Sequence, residues 1–233
     1  MNPAPTVFSV ISIGIAAGLS AAVVVPLVKR VPLRFERNYR EEATGMQELL
    51  KIPLDPAQFE LSTAEKLAIV MMGTLLGLLV GWGREPSLDL AAMGLFFLGL
   101  LLLSAINVKH QLLHDAIVLP MLWIGLLYHA WLGHAADAVF GAAAGYLMPF
   151  ILGAVVRWRT RKESIGFGDK KALAMAGAWF GWQALLTIAP VFIGFLVVLG
   201  VVIAVGKVRV HTLPTGPAHL LASLAYYLGL RLL

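Results

Sequence analysis

Two short stretches of this chain place polar side chains at the ends of long apolar runs, where loss of water makes an unpaired polar group costly. One is Ser164-Ile165-Gly166-Phe167-Gly168-Asp169-Lys170-Lys171. Gly166 and Gly168 allow backbone angles that a Cβ forbids, so a tight turn and the close approach of another segment are expected there. Asp169 then falls in the first turn of the following helix, where the helix dipole favours a carboxylate. The other stretch runs from Ala105 to Pro120 and holds Asn107, Lys109, His110, His114 and Asp115. Asn107 and Asp115 lie eight positions apart (115 − 107 = 8), both near a membrane interface. Each pattern also has a plain structural explanation. The first reads as a glycine turn opening a helix, the second as a capped pair, with Asn107 ending one helix and Asp115 capping the next. His110 and His114 lack a third ligand at suitable spacing, so no metal site is expected.

The elements that must position these groups are set by composition. The chain is 59% hydrophobic and 13% charged, with a mean hydropathy of +0.84, whereas a soluble domain carries about a quarter charged residues. That much apolar surface requires a lipid solvent. Apolar runs at 7–28, 64–82, 88–106, 116–133, 135–156, 171–186, 187–206 and 217–232 predict an all-α, polytopic bundle of about eight spans. The chain divides into a first span with its loop (1–63) and a core (64–233). The first run has no basic residue before it and no obvious cleavage site, so it is expected to stay as a helix. No Cys is present, which excludes disulfides, thiolate zinc sites and cysteine nucleophiles.

Charge fixes an expected orientation. The loops at 29–63, 107–115, 157–171 and 207–212 hold 15 of the 18 Lys and Arg, so the positive-inside rule assigns them to the cytoplasm. The pI of about 9.6 is then a topology signal and no sign of nucleic-acid binding. Arg34, Arg37 and Arg40 alternate with Glu36, Glu41 and Glu42 in the first loop, a solvated and partly helical pattern. Lys109, Lys170 and Lys171 read as interface anchors that snorkel, or as cations lowering the pKa of Asp169.

Taken together, the two polar stretches resemble the type IV prepilin peptidases, membrane aspartyl proteases that trim the leader from prepilins and pseudopilins. The family pairs an Asp that opens the loop after the third span, followed by Leu-Pro-Asp and Leu-Pro, with a Gly-x-Gly-Asp. Leu113-His114-Asp115 and Leu119-Pro120 match the first pattern apart from His114, and Gly166-Phe167-Gly168-Asp169-Lys170-Lys171 matches the second. Gly177-Ala178-Trp179-Phe180-Gly181-Trp182, Pro214-Thr215-Gly216-Pro217 and Leu33-Arg34-Phe35-Glu36-Arg37 are similar to further family segments. The resemblance implies a prepilin or pseudopilin substrate of a type IV pilus or type II secretion system. It also implies a bacterial inner-membrane location and a site built from Asp169 and position 107 with Gly166, Gly168, Lys109, Lys170 and Lys171 around it. Small residues such as Gly177 and Ala178 are expected to let the third, fourth and sixth spans approach closely.

The chain departs from the family where chemistry is decided. Position 107 is Asn where the family has Asp. Two carboxyl groups sharing one proton divide the work of activating water and polarising the scissile carbonyl, and an amide neither accepts nor shares that proton. A folded but catalytically impaired peptidase is expected. The alternatives are a prepilin-binding scaffold that does not cut or, from a different class, a small transporter. Asp115 is a weaker candidate for the missing acid, since eight residues of displacement far exceed the tolerance of about 0.5 Å in catalytic geometry. Paired Cys motifs of zinc-binding relatives are absent. Proteolysis needs no cofactor, while N-methylation, implied by resemblance alone, uses S-adenosylmethionine.

Overall fold

The computed structural model describes residues 7–42, 55–161, 165–206 and 213–232, and all regular structure among them is helical. The helices are α1 (Val7–Glu42), α2 (Thr63–Gly81), α3 (Leu88–His110), α4 (Asp115–Trp131), α5 (Ala135–Thr160), α6 (Phe167–Phe180), α7 (Trp182–Val205) and α8 (Gly216–Leu232). The expected all-α architecture is present. Stretches within α1, α3, α5 and α7, and one running from the turn at Pro56 through α2, are long and apolar enough to cross a bilayer.

Two of the expected boundaries move. α1 runs 36 residues, about 54 Å at 1.5 Å per residue, so it continues beyond a hydrocarbon core of about 30 Å. Its C-terminal third takes up Arg34 to Glu42, giving the partly helical pattern expected there; residues 43–54 of that loop lie outside the described residues, as do 207–212. The sixth span, expected at 171–186, is instead a 14-residue helix that ends at Gly181, whose φ of +80° suits only glycine. At about 21 Å, α6 is too short to cross a bilayer core alone.

The chain forms two compact units, Met1–Ile106 and Asn107–Leu233. In the first, α1 and α2 pack through small residues: a Cβ on Gly73 or Gly77 would overlap Ala21 or Ala17. Ser62 and Glu65 close a reciprocal capping box at the start of α2. Lys29 on α1 pairs with Glu60 at 2.7 Å. A cavity of about 430 Å³ lies among Ala17, Ser20, Gly77, Ala91, Gly94 and their neighbours.

In the second unit α6 is the central rod. Lys170 and every residue from Ala172 to Trp179 are buried, the mark of a helix surrounded by other helices. α5 crosses it backbone to backbone, since a Cβ on Gly141 would overlap the Gly177 carbonyl and one on Gly177 the Gly141 carbonyl. Gly177 thus permits the close approach expected of it, with α5 as the helix it meets. Trp179 is the bulky counterpart: 1% exposed, it lies against Gly125 of α4 and donates from Nε1 to the Met121 carbonyl at 2.8 Å. The carbonyl of Trp179, in the last turn of α6, accepts from His129 Nε2 at 2.8 Å. Leu173 and Ala176 of α6, Ala184, Ile188 and Phe192 of α7, and Ala218 and Ala222 of α8 complete the core.

Candidate active site

The rod delivers Asp169 to the third position of α6, one turn from its N-terminus. Gly166 caps that helix, and its backbone N–H donates to the Asp169 carboxylate, half of a capping box in which the acid folds back on its own helix. The hydroxyl of Thr215 donates as well, and His219 Nε2 lies 3.2 Å from Oδ1. Neither glycine of the motif has a positive φ. Gly166 sits at φ −64° and ψ 153°, ordinary extended backbone, so the expectation of a conformation forbidden to other residues fails there. Gly168 serves the second expected purpose: a Cβ there would stand 3.0 Å from that of Leu113, so its absence lets the loop after α3 lie on the N-terminus of α6. Ser164 lies outside the described residues.

Asn107 is not in the loop after α3 but within that helix's last turn, where it is 3% exposed. Its Oδ1 accepts from the backbone N–H of Gly216, the first residue of α8, at 2.7 Å. A backbone N–H has no acceptor capacity, so the amide's oxygen must face it and the Nδ2 donors must face elsewhere. α3 ends because Gln111 turns into the left-handed region at φ 55° while its N–H returns to the Asn107 carbonyl at 2.8 Å. Nothing in the sequence marks that stop, since Gly and Asn are the usual residues in such a position.

The two motif positions are 62 residues apart in sequence (169 − 107 = 62), and one short segment holds both. Gly216 binds Asn107, while Thr215 and His219 bind Asp169. The Gly216 N–H and the positive end of the α8 dipole therefore face the site.

Asp115 is placed differently. It is the first residue of α4, with His114 as the N-cap, and its Oδ2 binds Lys171 Nζ at 2.6 Å. Lys171 is therefore a strut between α4 and α6. Lys170 is not a snorkelling anchor: it is 7% exposed, with its ammonium 4.3 Å from the ring centre of Phe167 and 5.3 Å from that of Phe150. Lys109 is half-buried in the last turn of α3. Burial lowers the pKa of the His114 imidazole, against a smaller opposing pull from Asp115. No group of three or more His, Asp or Glu able to hold a metal occurs among the described residues.

Residues 94–206 match the type IV leader peptidase family. Over this stretch, just under half of its length, the chain is similar to that family. It is 29% identical to a prepilin leader peptidase/N-methyltransferase of Stutzerimonas stutzeri, over 92% of this chain and 86% of the relative. Similar proteins of the same description include one from Pseudomonas aeruginosa, 38% identical over 59% of this chain and 47% of the relative. Another, from Klebsiella pneumoniae, is 46% identical over 46% and 48%. In the last two cases the match spans about half the relative's length. No solved structure matches the chain. The family stretch contains Asn107, Asp115 and the Gly166–Lys171 motif but ends before Thr215, Gly216 and His219. Those three were missed as site residues. The last of them is a lone His in an apolar run, with no spacing pattern to mark it.

Proposed function

We propose that this chain is a leader peptidase of the bacterial inner membrane, acting on prepilin-like or pseudopilin substrates at the cytoplasmic face and impaired by Asn107. The observation that carries the reading is the convergence of Asn107 and Asp169 on one segment, Thr215–His219. Asp169 is the base: it takes a proton from water, whose oxygen then attacks the scissile carbonyl carbon. The partner must polarise the carbonyl oxygen and supply a proton. Nδ2 of Asn107 donates a hydrogen bond to a developing oxyanion but transfers no proton, so only part of the second role survives.

An Asp at 107 would accept from Gly216 as the amide does, because either side chain presents an oxygen there. Asn107→Asp therefore keeps the scaffold and completes the pair. The purified chain and this variant, reconstituted with a prepilin bearing its leader, test the reading by the appearance of trimmed product. A variant that trims no faster refutes the role of position 107. The buried, hydrogen-bonded amide also favours a second reading, a scaffold that holds prepilin without cutting. Capture of prepilin by both forms with cleavage by neither would select it. N-methylation belongs to the same proposal, with S-adenosylmethionine as donor and a methyl-mass gain on the new N-terminus as readout.

A further inference from the structure

His219 has no counterpart in the motif that drew attention to α8, yet its placement is closely constrained. It is 2% exposed. Its ring lies on Phe192 of α7, centroids 4.3 Å apart and planes tilted 28°, and its backbone N–H starts α8 by bonding the Thr215 carbonyl at 3.1 Å. Three helices thus aim Nε2 at Oδ1 of Asp169, 3.2 Å away. The other ring nitrogen, Nδ1, is buried with no hydrogen-bond partner among the described residues. An N–H at Nδ1 would be a buried donor without an acceptor, whereas a lone pair there is the cheaper group to leave unmatched. The tautomer with its proton on Nε2, the nitrogen that faces Asp169, is therefore the cheaper one.

We propose that His219 is a positioning residue for Asp169: a neutral imidazole that donates one hydrogen bond from Nε2 to Oδ1 and fixes which carboxylate lone pair is left for water. With Oδ1 held by His219 and Oδ2 turned toward Gly166, the carboxylate has one orientation. Because α8 carries both His219 and the N–H that holds Asn107, one helix sets the direction of both site residues. A leucine of similar volume would fill the space on Phe192, so packing alone does not require the imidazole. This inference rests on the peptidase reading for its activity arm but not for its spectroscopic one.

The spectroscopic arm uses the full chain in detergent or nanodiscs, labelled with 15N-histidine, with the His219 signals assigned by their loss in His219→Gln. The expected spectrum shows Nδ1 as a bare nitrogen and Nε2 as protonated, and Asp169→Asn shifts the Nε2 signal. An Nδ1–H tautomer, a charged ring at neutral pH, or a signal indifferent to Asp169→Asn overturns the proposal. The kinetic arm uses the Asn107→Asp chain. His219→Leu should lower kcat by about 10- to 100-fold with KM unchanged, the effect of losing one hydrogen bond to a charged group. His219→Gln, which retains an N–H donor, should recover most of the loss. Equal loss in both variants, or a change in KM alone, contradicts positioning. A correct ring spectrum in a chain that never cleaves would sink the peptidase reading and leave the pairing intact. Restored cleavage with the wrong tautomer would do the reverse.

Discussion

The two units solve the problem of packing in lipid in different ways. The first, from α1 to Ile106, closes on small residues against small residues, and an ionic contact in it, Lys29 with Glu60, sits at the exposed periphery. Of the buried polar side chains among the described residues it holds only Ser104. The second holds the other five: Asn107, His114, Lys170, His219 and Ser223. Burying so many polar groups is costly unless each finds a partner, and stability does not require it. The difference puts most of the buried polar groups in the unit that carries Asn107 and Asp169.

The sharpest way to break this contrast is at the centre of the second unit. Gly177→Leu drives a side chain into the α5 backbone where no rotamer change relieves it, so the purified protein should lose its cooperative thermal transition in detergent. Retention of a normal melt would mean that α5 and α6 do not touch there. Gly73→Leu sets the equivalent insult in the first unit, but against the methyl group of Ala21. A cost of about 1–3 kcal/mol, the usual range for overpacking, should appear as a lower Tm. Cleavage per folded molecule, measured in the Asn107→Asp chain, should be unchanged; a drop would draw the first unit into the chemistry. Lys171→Met is the mildest change. The Lys171–Asp115 pair is partly exposed on both sides, so its loss should cost about 0–1 kcal/mol. A larger loss of activity than of Tm would move Asp115 toward the site.

The same contrast shows what was legible in the sequence. Hydropathy located the helices because lipid selects for apolar runs. It misplaced the end of α6 because apolar residues continue through Gly181 while the backbone does not. Asp169 and Asn107 were legible as motif positions, yet only the fold shows that α8 is their common support. Lys170 and Lys171 looked alike as adjacent cations. The helix turns them apart, one onto aromatic rings and one onto Asp115. His219 escaped notice because a single imidazole in an apolar run has no spacing to read; its meaning comes from Asp169, 50 residues away.

Leader removal by the Asn107→Asp chain, set beside the unaltered chain and the Asn107→Asp/Asp169→Asn double variant, tests the central claim most directly. The account predicts a gain of at least about 100-fold from restoring the second carboxyl group, the lower end of what a placed proton donor supplies, and its loss in the double variant. No gain, or a gain that survives removal of the Asp169 carboxylate, would contradict it.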